Sequence, residues 1–208
     1  MSMFRLWAMG VGGAFLVAGP PLEAASLSGW EIHPGEGILG LGYAAPRHAA
    51  ASEFELVTIP GMDDAGWDLA PDMGRVGFAQ PSALCGAPVA CREGVDFTYF
   101  QTFVDLSDTK GVKSLILQMT SLDDGVRVSV YNSAHPAGAE IKASWVRVDK
   151  DHPPGTPYET GNLARLLKGG EVNRVVVVLA DDCCGWAHFS GVTVLLDGQV
   201  LPISGEAP

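Results

Sequence analysis

Ser121–Asn132 reads SLDDGVRVSVYN, and the period of its second half decides the fold. Val126, Val128 and Val130 alternate with Arg127, Ser129 and Tyr131. Successive side chains of a strand point to opposite faces, so this alternation describes a strand with one face buried. Asp123-Asp124-Gly125 supplies the turn that feeds it. Asp bonds readily to nearby backbone, and Gly takes conformations that other residues avoid.

The same rule places strands on either side. Phe97–Leu106 is FTYFQTFVDL, and Val112–Thr120 is VKSLILQMT with Leu115, Leu117 and Met119 on one face. Glu140–Val148 (EIKASWVRV), Phe189–Leu196 (FSGVTVLL) and, further upstream, Phe54–Ile59 (FELVTI) are also expected strands. Asn173–Ala180 (NRVVVVLA) is a continuous apolar run, the mark of a strand covered on both faces. Thr160–Leu167 (TGNLARLL) has a short helical pattern that stops at Gly169-Gly170. Pro60–Pro81 is a long loop expected to pack Trp67 and Phe78 inward. Many strands, turn residues between them and almost no helix predict an all-β chain, an antiparallel jelly-roll β-sandwich with one short helical turn. The expected division is a signal peptide at 1–24, an N-terminal arm at 25–52 with a short strand around Gly29–His33, the sandwich at 53–202 and a frayed tail at 203–208.

Export follows from the N-terminus. Arg5 precedes the apolar run Leu6–Ala18, which is broken by Gly19-Pro20-Pro21 and followed by Leu22-Glu23-Ala24, the layout of a cleaved secretory signal. The run is thirteen residues, short of the ~20 that a spanning helix needs. A secreted or periplasmic location, with no membrane association after cleavage, is the expectation. The net charge is −11, which repels phosphate backbones and makes nucleic acid an unsuitable partner. The four cysteines are Cys85, Cys91, Cys183 and Cys184. An even count in an exported chain points to disulfides, with three connectivities open. Cys85–Cys91 closes a short loop. A Cys183–Cys184 bridge is strained, because neighbouring Cα atoms lie ~3.8 Å apart and disulfides prefer ~4.4–6.8 Å.

Several motifs, taken in order, resemble the galactose-binding-domain-like jelly roll. They are Asp63-Asp64-Ala65-Gly66-Trp67 with Pro71 and Gly74, then Tyr99-Phe100-Gln101-Thr102-Phe103. Next come Ser121–Val126 running on to Val130-Tyr131-Asn132, and last Leu166-Leu167, Gly169-Gly170, Asn173 and Val175–Val178. The resemblance spans Phe54–Leu196. Gln101 stands where those domains often carry Arg, Ser133 stands where they carry Gly, and Cys183-Cys184 has no counterpart in the pattern. The resemblance implies glycan binding, often beside a structural calcium, and in many secreted hydrolases an accessory without chemistry of its own.

Two stretches carry candidate chemistry. Asp123 and Asp124 are either a pair of calcium ligands, calcium being a hard cation that gathers oxygens, or a polar turn. Asp181-Asp182-Cys183-Cys184-Gly185-Trp186-Ala187-His188 places acids, an aromatic ring and an imidazole together. Trp186 suits the apolar face of a sugar, and Asp181, Asp182 and His188 suit its hydroxyls. The alternative is a disulfide-stiffened turn with a buried Trp. There is no HExxH and no Gly-x-Ser-x-Gly.

Strand parity then locates the site. With connections alternating between the two ends of the sandwich, Asp123-Asp124 and Asp181-Asp182 fall at opposite ends, and Asn132, Tyr131 and Trp186 gather at one end as a glycan surface. The functional expectation is a non-enzymatic binding domain for carbohydrate or a cell-surface glycan. A structural or adhesive sandwich with no small ligand, and a glycoside hydrolase with an unrecognised acid pair, are the alternatives.

Overall fold

The computed structural model describes residues 25–37, 39–40, 57–70, 78–81, 94–109, 111–123, 125–141, 145–147, 155–181 and 186–203. In chain order its strands are β1 (Ser26–Leu27), β2 (Glu31–His33), β3 (Leu39–Gly40), β4 (Asp68–Leu69), β5 (Phe78–Pro81), β6 (Gly94–Asp105), β7 (Leu115–Asp123), β8 (Gly125–Asn132), β9 (His135–Ala139), β10 (Trp145–Arg147), β11 (Thr156–Glu159), β12 (Val172–Asp181), β13 (Trp186–Ser190), β14 (Thr193–Leu196) and β15 (Gln199–Val200). One 3-10 turn, Ala164–Leu166, is the helical turn expected from TGNLARLL.

Two antiparallel sheets result. The first runs β10-β8-β12-β6-β2-β4, with β1 and β3 also on β6 and β9 on β8; the second runs β15-β14-β7-β13-β5, with β11 also on β7. The chain changes sheet at each step from β6 to β7 to β8, and again from β10 to β11 to β12 to β13. β12 is the spine of the larger sheet. It pairs along its whole length with β6, from Val172 opposite Asp105 to Asp181 opposite Asp96, and on its other side with β8.

The core lies between the sheets. Val126, Val128 and Val130 face inward as their alternation requires, beside Val175, Val177 and Leu179 of β12 and Phe100 and Val104 of β6. Leu115, Leu117, Met119 and Leu122 of β7 meet them from the other sheet, with Phe189, Val194 and Leu196. Phe100 and Phe189 join the layers edge to face, 4.9 Å between ring centroids. The opposite face of β12 is covered too. Val176, Val178 and Ala180 join Val95, Phe97 and Tyr99 in a second buried cluster, on which Val57, Ile59 and Trp67 pack. That double covering is what the unbroken valine run foretold.

Some sequence expectations give way. Of the strand expected at Phe54–Ile59, residues 54–56 lie outside the described residues; Val57–Ile59 form no strand and cross the outer face of the larger sheet as a strap. Of the expected strand Glu140–Val148, Trp145–Arg147 form β10 and Glu140 and Ile141 lie outside it, the Glu140 carboxylate accepting from Arg127 Nε at 2.7 Å and Ser129 Oγ at 2.6 Å. Phe189–Leu196 is two strands, broken at Gly191 (φ +57°), where a Cβ would lie 2.5 Å from Thr120 Oγ1. Ile203 bridges Leu27 in parallel, so the tail is held at its first residue.

The largest correction concerns parity. β11, hidden in the connection after β10, pairs antiparallel with β7 and carries the chain across the molecule once more. β12 therefore runs back toward the Asp123 turn. Ala180 lies opposite Gly125, and His188 lies opposite Asp123. The two acidic stretches share one end of the sandwich, and Asn132 and Trp186 stand at opposite ends.

Candidate functional site

The outer face of the larger sheet carries a ladder of rings with a cation in it. Tyr99 and His33 sit 6.4 Å apart, His33 and Trp67 5.2 Å apart. The Arg174 guanidinium then lies 5.5 Å from the Trp67 ring and 5.2 Å from the Tyr131 ring, between the two. Its Nε donates to Gln101 Oε1 at 2.7 Å, and one Nη2 hydrogen goes to the Pro60 carbonyl at 2.8 Å. The Gln101 amide in turn donates to Glu31 Oε2 at 2.6 Å. Burial pulls the Arg174 pKa below its ordinary value, opposed by the more distant negative groups around it.

The strap is tied down over this cation. Trp67 Nε1 donates to the Gly61 carbonyl at 2.7 Å, and the Asp64 carboxylate accepts from the Gly61 N–H at 2.7 Å. Between strap and sheet lies a half-open cavity of about 620 Å3. Ile59 to Met62 form one wall, and Phe103, Tyr131, Val172 and Arg174 form the floor. Gly138 (φ +82°) fixes the Tyr131 ring: a Cβ there would meet Tyr131 Cζ at 2.6 Å. Glycine alone allows both that backbone and that approach.

Asn132 borders the same cavity, but its polar atoms are fully engaged. Oδ1 accepts from the Ala134 and His135 N–H groups, each at 3.0 Å, and Nδ2 donates to Leu166 O at 2.7 Å and Asn173 Oδ1 at 2.9 Å. An amide has two donors and two acceptor sites, so Asn132 holds the β8–β9 turn and has no bond left for a ligand. Ser133, the departure from the galactose-binding-like pattern, has its N–H and Oγ on the Glu171 carboxylate, each at 2.8 Å.

The other end holds Asp96 and Asp181, directly opposite in register and both buried. They continue the inward alternation of Phe100 and Leu179. Burial, and then the charge of Asp181, hold the Asp96 carboxyl above the usual carboxylate range. His188 Nε2 lies 2.9 Å from Ser121 Oγ. Trp186 is placed by its backbone, opposite Pro81. Asp124, Asp182, Cys85, Cys91, Cys183 and Cys184 lie outside the described residues, as does the segment read as a signal peptide. Calcium takes six to eight oxygens. Among the described residues no three His, Cys, Asp or Glu side chains converge as a metal site.

Of the residues singled out from sequence, then, the structure brings Tyr131 and Asn132 to the cavity and leaves Asp181, Trp186 and His188 at the far side of the molecule. Arg174 and Ile59–Met62 were not singled out from sequence; Phe103 entered only through the resemblance, and Trp67 packs against the sheet as expected of it. The one signal for Arg174 was its place as the charged residue at the head of a two-faced apolar strand. No protein-family model matches the chain, and no curated protein sequence matches it.

Proposed function

We propose that the chain is an exported, non-catalytic binding domain whose site is the cavity between the strap and β8–β12, and whose ligand is a carbohydrate or the glycan of a cell-surface partner. The observation that carries the reading is the cavity itself. It has the size of a small-molecule site and largely apolar walls, with one charged group, Arg174, in its floor. The order of motifs that resembles galactose-binding-like domains supports the same reading. A hydrolase would need two carboxyl groups flanking a bound sugar. The in-register pair Asp96 and Asp181 is buried, 8% and 1% exposed, at the end of the sandwich opposite the cavity.

A glycan array with the exported protein tests the proposal. Binding to a defined subset of sugars, reduced when Met62→Trp fills the cavity mouth, is the expected result. An array without a single positive spot moves the reading to a structural or adhesive sandwich.

A further inference from the structure

Arg174 does more than tie the strap to the sheet. A guanidinium has five N–H groups in a flat fork. Two of them are used, one by Gln101 and one by Pro60. Five minus two leaves three, including both on Nη1, with no acceptor among the described residues. No carboxylate lies within ion-pair distance of it among those residues either. Yet the residue is 8% exposed. A charge removed from water without a paired charge is costly, and an arginine needed only as a tie would be better served by a neutral donor.

The rings on either side explain how the charge is tolerated. Trp67 and Tyr131 offer their faces to the flat cation, and Glu31 acts through the Gln101 amide. Neither arrangement fills the remaining donors. These belong to a residue in the cavity floor, in a setting where a fork of N–H groups matches two carboxylate oxygens. The surrounding walls, Phe103, Ile59, Met62 and Val172, suit the carbon skeleton of a ring.

We infer that the cavity selects acidic sugars: Arg174 receives the carboxylate of a uronate, while the apolar walls receive its pyranose ring. This rests on the carbohydrate-binding reading and narrows it to a ligand class. The chain's net charge of −11 shapes the preference as well. It repels polyanions at long range, so a site built on one desolvated cation favours a single carboxylate over a densely sulfated chain.

The experiment uses three matched probes in both galacto and gluco configuration. They are the methyl glycoside of the uronic acid, its C6 methyl ester and the parent neutral glycoside, titrated into the full exported protein and followed by NMR. The acid should bind at least about tenfold more tightly than ester or neutral sugar, the scale of a charge-assisted hydrogen bond. Arg174→Lys, which keeps the charge but loses the fork, should remove most of that preference, bringing acid, ester and neutral sugar to comparable affinities. The ester comparison needs no variant, so it stands even where Arg174→Lys fails to fold. Equal binding of acid, ester and neutral sugar overturns the inference and leaves the binding reading intact. An acid preference that a folded Arg174→Lys retains overturns the role of Arg174. No binding by any probe overturns both.

Discussion

The inward-facing row of the larger sheet is closed at its two ends by different chemistry. At one end stand Asn132 and Asn173, amide against amide, with Asn173 also bonded to Lys168 through both its side-chain atoms. At the other stand Asp96 and Asp181, carboxyl against carboxyl. Between them runs an apolar stretch of valines, leucine and phenylalanine. The amides satisfy each other and the turns beside them, and neither amide titrates. The acids share a register position where like charges repel, and one Asp96 oxygen has no hydrogen-bond partner among the described residues. A core can thus be capped by polar side chains in a way that adds stability or in a way that withholds it, depending on whether each group meets its complement.

The middle of the row gives the strongest test. Val128→Asp puts an uncompensated charge between the two ends, with no water and no amide to receive it. The expected loss is on the order of 4 kcal/mol, seen as a collapse of the denaturation midpoint. An unchanged midpoint would mean that Val128 does not face the core. At the amide end, Asn173→Ala strands the Lys168 backbone groups and one Nδ2 hydrogen of Asn132. A loss of roughly 2–3 kcal/mol is expected, and a variant as stable as the parent would show that water replaces those bonds freely.

Opposite behaviour is expected at the acid end. The folded pKa of Asp96 lies above its unfolded value, so the native state holds the proton more tightly. Stability falls as pH climbs from about 3.8 through the raised value. Asp96→Asn should therefore raise the melting temperature at neutral pH and lose that advantage in acid. A melting curve that drops at neutral pH would falsify the repulsive reading of this end. The smallest effect belongs to Glu171, near the amide end, whose pKa is lowered first by the Ser133 backbone N–H and then by its hydroxyl. Its contribution is present above the unfolded value of about 4.5 and fades as pH falls through the folded one. Glu171→Gln should flatten that acid-side slope slightly, and an unaltered pH profile of stability would remove Glu171 from the account.

Much of this layout could be read from residues. Val126, Val128 and Val130 betray their face because one side of β8 is apolar and the other is not. The run from Val175 to Val178 declares two covered faces, since nothing else keeps such a strand from water. What covers the outer face was only partly legible: Trp67 was expected to pack inward, but Val57–Ile59, read as strand, cross the sheet as a strap held by rings and carbonyls. β11 was missed for a related reason. Thr156-Pro157-Tyr158-Glu159 looks like loop and becomes a strand only against β7, and overlooking it moved the second acidic stretch to the wrong end. β9 is similar: His135–Ala139 has little strand preference of its own and is set by the Asn132 turn. The candidate site was half visible. Tyr131 and Asn132 were named, but the cation that gives the cavity its character had to be found by what it touches.

Short or proline-bearing strands mark the borders of both sheets, and this bears on how the protein behaves in a crowd of its own copies. β4 and β15 are two residues long, β10 is three, and β9, β11 and β5 carry Pro136, Pro157 and Pro81. Proline brings no N–H to a ladder, and two residues give an incoming chain too few bonds to register. Leu69 and Val200, exposed on these rims, are thus kept from seeding edge-to-edge growth. The long, apolar β12, the segment best suited to amyloid-like stacking, lies in the middle of its sheet with a neighbour on each side. Among the described residues the strand order thus keeps the segment most able to stack away from both rims.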